Sequence, residues 1–437
     1  MFIYYLVLAL RSLKRNPSIT ALMVLSIGIG VALAMTTWTL ELSMSRDPIP
    51  RKSAELFVPT LDAWGPTALA ENGYGNQIPS MMDYTTVEAL MRDHRAKFQS
   101  PAYRLSPTIV PQRAGQHPFT TYGFAVSGEF FPMLNVPFKY GSGWSATDDE
   151  DRAQVAVISQ NLSEKLFGGG DSVGKTLTIG SHDYRVVGVL AHWNPVPEFF
   201  AVPETSAYSI FPISVLLPFN TAIAAGIPQS GNTNCLTTPA QPGFKGLLNS
   251  RCLWLSYMVQ LDSPTAAEQY KRYLTGFAGQ QFDWSPNVRL RNLMAWLNYQ
   301  QVTPPGVKVL RLVGIGLLIV CLVDTTGLML ASFLRRSGEI GIRRALGASR
   351  SAIYAQFLTE GAVVGLVGGV LGIFLTWLAI SWLGVTLPDN WSSVTPHVDV
   401  ALLASTLAVG VVVTLLTAMY PVWRAAHVQP AIQIKTN

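Results

Sequence analysis

The stretch ITALMVLSIGIGVALAMTTWTLEL, residues 19–42, is the first of four apolar runs that decide the fold. The others are Val307 to Leu334, Ala352 to Leu383 and Leu402 to Tyr420. A bilayer core about 30 Å thick is crossed by about 20 helical residues at 1.5 Å each, so every run can span it. Residues 43–306 separate the first run from the second and are far more polar. The sequence therefore predicts four transmembrane helices, arranged one plus three, with a large domain inserted after the first.

The composition agrees with a membrane protein and excludes an ordinary soluble one. The chain of 437 residues is 49% hydrophobic and only 13% charged, with a mean hydropathy of +0.29, and its apolar residues come in blocks. The net charge is +5, but the polar part holds no basic stripe interleaved with aromatic residues. Nucleic-acid binding is therefore excluded as the reason for the basic charge.

The basic residues beside the apolar runs predict the orientation of the chain. They are Arg11, Lys14 and Arg15 before the first run, Arg335, Arg336, Arg343, Arg344 and Arg350 between the second and third, and Arg424 and Lys435 after the fourth. Because cytoplasmic flanks carry an excess of Lys and Arg, both termini and residues 335–351, here named the basic segment, are predicted to be cytoplasmic. The insert and residues 385–398 are then outside.

The predicted organisation follows from these runs. It comprises a cytoplasmic N-terminal segment (1–17), transmembrane helix 1 (18–42), the insert (43–306), transmembrane helix 2 (307–334), the basic segment (335–351), transmembrane helix 3 (352–384), an outer loop (385–398), transmembrane helix 4 (399–420) and a cytoplasmic tail (421–437). Within the insert, alternating strand patterns around helical stretches predict an α+β fold. We expect irregular or extended chain over 47–79, a helix over 81–98, strands at 154–159 and 184–190, a helix over 161–167, long loops over 191–250, a strand at 254–261 and a helix over 265–279. The insert is expected to contain a second, loop-rich subdomain.

A stretch of the insert matches a phosphate-binding pattern but has the wrong context. Gly169-Gly-Asp-Ser-Val-Gly-Lys175-Thr176 satisfies G-x-x-x-x-G-K-[ST]. Phosphate binding there requires a strand before the loop and a helix after it, so that backbone N–H groups face the phosphates. Here a helical segment precedes, and a hairpin with its turn at Gly180 to Asp183 follows. We interpret the stretch as a structural turn.

The three cysteines separate into two groups. Cys321 lies in the second apolar run, whereas Cys235 and Cys252 both lie in the insert. A disulfide between the latter two would stabilise the fold by roughly 3 kcal/mol on the loop-entropy model, if the compartment is oxidising. Two free buried thiols are the alternative.

The basic segment has the pattern of a short amphipathic helix that stops and restarts into a span. Ile342 and Leu346 are four residues apart and share a helix face, flanked by Arg343 and Arg344. Gly347 suits the left-handed conformation that ends helices, and Ser349 suits a cap of the next helix. A helix lying on a membrane of acidic lipid is an equal alternative on physical grounds.

The sequences of this segment and of four other stretches resemble motifs of the MacB/FtsX family of ABC-transporter permeases. The similar stretches are Glu339-Ile-Gly-Ile-Arg-Arg-Ala-Leu-Gly-Ala-Ser349, Leu8 to Pro17 with Leu25 to Ala32, Val126-Ser-Gly-Glu-Phe-Phe131, the run of motifs from Val155 to Leu190, and Pro421-Val-Trp-Arg-Ala-Ala-His-Val-Gln-Pro430. The resemblance is weak over 43–110 and 191–300. It implies a MacB-like periplasmic core domain in the insert, where the phosphate-loop pattern is a recurring turn.

The resemblance also implies a function. The chain would be the permease subunit of a transporter, not an enzyme, in the bacterial inner membrane, driving export or extraction of a peptide, antibiotic or lipid-linked substrate. It would pair with a second permease copy or a related permease, with a periplasmic adaptor as a further expected partner.

This sequence carries no fused ATPase domain, so a separate cytoplasmic ATPase is expected to bind the ATP and Mg²⁺; no cofactor is expected in this chain. The residues assigned to ATPase coupling by resemblance are Glu339, Ile342, Arg343, Arg344, Leu346 and Gly347. The alternative is an FtsX-like signalling scaffold that controls a periplasmic partner such as a cell-wall hydrolase.

Two acidic residues lie inside the apolar runs. Asp324 costs about 2.5 to 3.5 kcal/mol at a helix centre, so it should face protein or water, either as a proton relay or, more simply, in hydrogen bonding or helix contact beside Thr325 and Thr326. Glu360 lies about two turns into the third run, where snorkelling of its side chain toward the cytoplasmic side would suffice to explain an acidic residue. The Gly361-x-x-x-Gly365 spacing in the same run permits close helix contact, either within the chain or between two copies. The six histidines show no metal-ligand spacing, and no catalytic set can be nominated.

Overall fold

The computed structural model describes most of the chain as two compact units. It describes residues 7–9, 11, 14–73, 77–112, 115–205, 211–284, 287–336, 338, 342, 346–347, 349–386 and 400–426. One unit, the helical unit, combines residues 1–45 with 303–437, and the other, the α+β unit, is formed by residues 46–302.

The secondary-structure elements are numbered along the chain. The helices are α1 (Pro17–Ser45), α2 (Pro66–Glu71), α3 (Tyr84–Asp93), α4 (Phe130–Leu134), α5 (Ala146–Glu150), α6 (Gln160–Phe167), α7 (Val202–Thr205), α8 (Phe219–Ala224), α9 (Gly243–Leu248), α10 (Pro264–Gln281), α11 (Leu293–Tyr299), α12 (Pro305–Arg335), α13 (Arg350–Thr386) and α14 (Val400–Ala426). The strands are β1 (Leu56–Leu61), β2 (Phe98–Leu105), β3 (Thr108–Val110), β4 (Phe119–Thr120), β5 (Gly123–Val126), β6 (Phe138–Gly141), β7 (Val155–Ser159), β8 (Thr176–Ile179), β9 (His182–Leu190), β10 (Val215–Pro218), β11 (Ser256–Gln260) and β12 (Val288–Asn292).

Four helices of the helical unit are long and apolar enough to span a bilayer. They are α1, α12, α13 and α14, with 29, 31, 37 and 27 residues. A helix can satisfy its backbone hydrogen bonds internally, as a segment surrounded by hydrocarbon must. The predicted fold class, four transmembrane helices with an α+β domain between the first and second, is confirmed.

Glycines on α13 let this helix pack closely against two neighbours. A β-carbon at Gly365 would lie 2.8 Å from the Thr414 Oγ1 of α14, and one at Gly368 would lie 2.9 Å from the Ile27 Cγ2 of α1. The glycines that face α14 are Gly361, Gly365 and Gly369, and those that face α1 are Gly368 and Gly372. From the sequence, packing within the chain and packing between two copies were equally expected uses of such spacing. In the structure, these glycines pack against helices of the same chain.

The α+β unit is built on one twelve-stranded sheet. Its order is β12-β1-β11-β2-β5-β10-β7-β9-β8-β3-β4, with β6 on β9. The β5–β10 and β7–β9 pairs are parallel and the other pairs are antiparallel. Both faces of the central strands are buried: Ala125 and Leu217 lie in the core on one face, and Phe124 and Leu216 lie in the core on the other. This burial explains the apolar runs of β5 and β10.

The structure differs from the sequence-based expectation over residues 191–250. This stretch was expected to be long loops in a second subdomain, yet its Val215–Pro218 segment is the central strand β10, and the whole of residues 46–302 is one unit. The strand is only four residues long and ends in Pro218. Because both of its faces are buried, no alternation of polar and apolar residues marked it.

Two further boundaries also differ. The helix expected over 81–98 is the shorter α3, which starts at the cap Asp83 and ends at His94, whose φ is +44°. The carboxylate of Asp83 accepts a hydrogen bond from Thr86 N at 2.9 Å, and chain beyond His94 turns directly into β2. The segment 47–79, expected to be irregular or extended, holds the extended strand β1 as expected, but also the helix α2, in which Pro66 occupies the first turn.

The phosphate-loop pattern has the inverted context that the sequence indicated. The helix α6 precedes it and ends at Gly168, whose φ is +81°, and the β8–β9 hairpin follows it. The Lys175 ammonium lies 5.0 Å from the centre of the Phe167 ring. The hairpin turns at Gly180, where φ is +58°, and Ile179 pairs with His182. A helix before the loop and a strand after it do not build a phosphate cradle.

Cys235 and Cys252 are joined by a disulfide in the α+β unit. The bond ties the segment before α9 to the start of the chain that enters β11. Next to it, Asn234 and Leu253 exchange two backbone hydrogen bonds of 2.9 and 2.8 Å. The two cysteines therefore hold together a stretch of chain that has little regular structure of its own.

A buried carboxylate closes the gap where β2 and β11 separate. Glu204 is 2% exposed, and its two oxygens accept hydrogen bonds from the backbone N–H groups of Arg104 and Ser256, each at 2.9 Å. The strands cannot pair with each other here, because Leu255 turns away to bond with Met82. Burial raises the pKa of Glu204 to about 8.

The raised pKa of Glu204 predicts a pH dependence of stability. The folded pKa of about 8 lies above the ordinary value of 4.5, so the folded state binds the proton more tightly than the unfolded one. The contribution of Glu204 to stability is then fully present below about pH 4.5 and is lost as the pH rises to about 8, by on the order of a few kcal/mol. Glu204→Gln should flatten the Tm-against-pH curve of the full chain in detergent between pH 5 and 8.

The exposed Glu268 of α10 provides the matched control. Glu268→Gln should leave the slope of the Tm-against-pH curve unchanged. A slope that is the same in Glu204→Gln as in the wild type would contradict the assignment.

Candidate functional site

Ile342 and Leu346 of the basic segment lie exposed between α12 and α13 and are joined by a helix-type hydrogen bond. Ile342 O accepts a hydrogen bond from Leu346 N at 3.0 Å, so these two residues lie one turn apart on a helix. Their side chains are 58% and 83% exposed. Gly347 follows with φ +97°, and Ser349 Oγ accepts from Ala352 N at 3.2 Å. The predicted helix stop at Gly347 and cap at Ser349 are confirmed; Glu339, Arg343 and Arg344 lie outside the described residues.

Two large apolar side chains therefore project from a connection between transmembrane helices. Their exposure is not needed to build the bundle, because they lie beyond the ends of α12 and α13. Exposed apolar residues that adjoin charged ones mark surfaces that bind another protein or a membrane. Both alternatives given by the sequence for this segment agree with this placement.

The base of this connection is held by a buried ion pair and an aromatic contact. Arg336 follows the last residue of α12, and its Nη1 donates to the Oε1 and Oε2 of Glu360 on α13 at 3.3 and 3.5 Å. A second contact joins the two helices nearby, where the rings of Phe333 and Phe357 lie 4.2 Å apart, centre to centre. The expectation that Glu360 is accommodated by snorkelling is wrong: its side chain is 6% exposed and is paired within the bundle.

Asp324 lies on the outer face of α12. It is exposed, and the neighbouring Thr325 and Thr326 donate their hydroxyls to the carbonyls of Cys321 and Leu322 on their own helix, not to its carboxylate. The roles expected for Asp324, a proton relay or hydrogen bonding and helix contact, therefore stay predictions. Within this chain, Asp324 faces outward from the bundle.

The outer face of α12 is the least covered surface of the bundle. Only 6% of the most apolar stretch of α12 is buried within the chain, against 44% for α1 and for α13 and 28% for α14. The face runs along the whole helix, and no atom of another described segment lies within 4 Å of a β-carbon placed at Gly316 or Gly327. Its exposed residues are Val309, Val313, Gly316, Val320, Val323, Asp324, Gly327 and Leu334.

Sequence reasoning missed the Arg336–Glu360 pair and a second ion pair near the other end of α12. There Arg311 Nε lies 3.0 Å from Glu41 Oε2 of α1. A signal for the first pair was present: Arg336 and Glu360 are nearly equally far along the chain from the turn at Gly347, as facing residues of two antiparallel helices must be. The second pair joins helices separated by the whole insert, so chain spacing gave no signal.

In the α+β unit, the Val126–Phe131 stretch is used to build the fold. Gly128 N donates to the Asp149 carboxylate, and Glu129 accepts from Gln99 N at 2.7 Å and lies 2.7 Å from His94 Nε2. Burial raises the pKa of Asp149 to about 7. A surface cavity of about 300 Å³ lies beside these residues, between Phe131 and Trp144. Among the residues that the structure describes, no group of His, Cys, Asp and Glu side chains could hold a metal ion.

Known protein families match both units of the chain. The MacB-like periplasmic core domain family matches residues 18–277, and the FtsX-like permease C-terminal family matches residues 311–430. The second match includes α12, the basic segment, α13 and α14. The first covers more than half of the chain.

Curated relatives carry the MacB name. The macrolide export ATP-binding/permease proteins MacB of Salmonella typhi and of Escherichia coli (strain K12) are each 30% identical over 267 residues, which is 60% of this chain and 36% of the relative. The aligned part thus spans about a third of the length of these relatives. Among solved structures, the periplasmic region of MacB from Actinobacillus actinomycetemcomitans is similar at 13% identity with a TM-score of 0.36, covering 60% of this chain and 98% of that one. The extracellular domain of the noncanonic ABC-type transporter YknZ from Gram-positive bacteria is similar at 14% identity with a TM-score of 0.34, covering 53% of this chain and 99% of that one.

The two family matches follow one another along the chain. One family describes the first long helix and most of the α+β domain, and the other describes the three remaining long helices. This order also agrees with the motifs that the sequence shares with these proteins. The chain belongs to the MacB/FtsX family of ABC-transporter permeases.

Proposed function

We propose that the chain is the permease subunit of an ABC transporter in the bacterial cytoplasmic membrane. A separate cytoplasmic ATPase, which binds ATP and Mg²⁺, would dock on the basic segment, and its closure would change the conformation of the periplasmic domain. The process would be export or extraction of a peptide, antibiotic or lipid-linked substrate. The names of the curated relatives, macrolide export proteins, support export as the process.

The exposed turn at Ile342 and Leu346 is the observation that carries this proposal. It lies between two spans in the region matched by the FtsX-like permease family, and the positive-inside rule supports its location in the cytoplasm. Burying an Ile or Leu side chain in a partner's groove contributes about 1.5–3 kcal/mol each. Two such residues on one helix face fit the helix-in-groove mode of binding.

The match of the insert to the MacB-like periplasmic core domain favours transport over signalling alone. A domain of this size between α1 and α12 offers a surface for substrate and for a periplasmic adaptor. The proposed activity needs no catalytic group in this chain, because the chemical step belongs to the ATPase.

Replacement of the two exposed apolar residues tests the docking. Ile342→Asp with Leu346→Asp should remove about 3–6 kcal/mol of binding, a loss of at least about a hundredfold in affinity. We expect that the ATP-hydrolysing chain that co-purifies with the wild-type protein will be lost, while the variant still inserts into the membrane. Pull-down from solubilised membranes, followed by identification of the bound chains, measures this.

Val173→Asp is the matched control for this loss. Val173 is an exposed apolar residue, 39% accessible, but it belongs to the α+β unit. Its replacement should retain the ATPase. An unchanged pull-down with the double variant would remove the docking assignment.

We further propose that the outer face of α12 binds a second copy of the permease or a related permease. Asp324 would cost about 2.5–3.5 kcal/mol if it faced lipid at the centre of the bilayer, so protein should cover it. The open space beside Gly316 and Gly327 would let another helix approach closely. Close approach at small residues favours the association of helices in lipid. Both features lie on the same face of the helix.

Cysteine cross-linking in membranes tests this face. In a Cys321→Ser background, Val320→Cys should give a species of twice the mass on oxidation, because a two-fold axis along this face places the residue beside its copy. Ser332→Cys, at a buried position on the other side of α12, should remain monomeric. If Val313→Cys, Val320→Cys and Gly327→Cys all remain monomeric, a second copy of this chain does not bind there.

A further inference from the structure

The end of the helical unit that adjoins the basic segment carries far more positive than negative charge. The three stretches predicted to be cytoplasmic, residues 1–17, 335–351 and 421–437, hold ten basic residues and one acidic residue. The buried carboxylate at this end of the bundle, Glu360, is already bonded to Arg336. The chain therefore supplies too few carboxylates here to neutralise its own positive charge.

Two distant stretches of chain bring basic residues to this end. The helices α1 and α12 pack against each other, and Ser26 Oγ of α1 donates to Cys321 O of α12 at 3.2 Å. Because the two helices run in opposite directions, the end of α12 at Arg335 lies level with the start of α1. Arg11 and Lys14 lie just before that start. Residues separated by the whole insert therefore meet at one level of the bundle.

Arg11, Lys14 and Arg335, here named the cationic cluster, are all exposed. The chain is helical at residues 11 and 14, and positions three apart share one face of a helix. Within the part of the chain that the structure describes, no carboxylate forms an ion pair with any of the three. Like charges that gather without a counterion repel one another. An anion from outside the chain would therefore stabilise this arrangement.

The cationic cluster lies where the bilayer begins. Arg335 directly follows the last residue of an apolar run, and Lys14 lies five residues before the first residue of another, Ile19. Lys and Arg side chains near the ends of spans extend to the headgroup layer. Beyond the charges, one face of α1 is apolar and uncovered within the chain. Its exposed residues are Leu22, Leu25, Ile29 and Leu33.

We propose that the cationic cluster binds the headgroup phosphate of an anionic phospholipid of the cytoplasmic leaflet, with an acyl chain along the exposed face of α1. The lipid is a bound component of the membrane and not a transported substrate. A lipid fits better than an acidic protein surface, because Arg11 and Lys14 flank a span, where headgroups are always present. The site is separate from the docking residues Ile342 and Leu346, so it goes beyond the proposed function and does not depend on which protein docks there.

A fluorescent label beside the cluster reports which lipid lies there. A single reactive cysteine is placed at Ser18, an exposed residue at the start of α1, in the Cys321→Ser background; Cys235 and Cys252 are bonded to each other and do not react. The labelled full-length protein is reconstituted in phosphatidylcholine vesicles with increasing fractions of brominated phosphatidylglycerol or brominated phosphatidylcholine, each of which quenches the label on contact. Phosphatidylglycerol should bind beside the label at least about fivefold more tightly, the contribution of one Lys or Arg near an anionic surface.

Substitutions separate the cluster from general attraction to anionic membranes. The cluster variant, which combines Arg11→Gln, Lys14→Gln and Arg335→Gln, should reduce the preference for phosphatidylglycerol to less than about twofold. Lys14→Arg keeps the charge and should retain the preference. Lys308→Gln is the matched control, because Lys308 is an exposed residue near the opposite end of α12; it should also retain the preference.

Three results would overturn the proposal. The first is equal quenching by the two brominated lipids in the wild-type protein. The second is a preference that persists in the cluster variant; if that variant also loses a co-purifying ATPase, the cluster belongs to protein docking instead. The third is a preference that inorganic phosphate abolishes but potassium chloride of the same ionic strength does not, which would assign the cluster to free phosphate.

Discussion

Hydrocarbon offers no hydrogen-bond partner to the peptide backbone, and this constraint organises the whole chain. Every segment inside the bilayer must be helical, so irregular chain and most charges are confined to the connections between α1, α12, α13 and α14. The two connections that carry the functional proposals are the insert between α1 and α12 and the basic segment between α12 and α13.

The helical unit combines a tightly packed part with a loosely covered one. Glycines bring α13 within van der Waals distance of α1 and α14, while α12 keeps an open face that bears Asp324. Charged residues on α12 then have distinct roles according to what they meet: Arg311 and Arg336 are paired with Glu41 and Glu360 of neighbouring helices, whereas Asp324 points away from the bundle. Arg311 and Arg336 thus link α12 and the residue that follows it to neighbouring helices, and we propose that a second permease covers Asp324.

Physical patterns in the sequence predicted the spans, because apolar runs long enough to cross a bilayer are not typical of soluble domains. They also predicted the stop at Gly347 and the cap at Ser349, since backbone geometry restricts the residues that suit these positions. The strand β10 was missed because a four-residue strand buried on both faces has no periodicity. The ion pair of Arg336 with Glu360 depends on how two helices align, which neither residue's local sequence determines. The use of α13 glycines within the chain could not be predicted either, since identical spacing serves both intrachain packing and association of copies.

The account as a whole depends on the side of the membrane that holds the exposed turn at Ile342 and Leu346. Labelling of a Leu346→Cys variant, in a Cys321→Ser background, with a membrane-impermeant maleimide tests this directly, because residue 346 is 83% exposed. The account predicts no labelling in intact spheroplasts and full labelling in inside-out vesicles. Labelling in intact spheroplasts would place the turn outside the cell, where no ATPase could reach it, and would contradict the account.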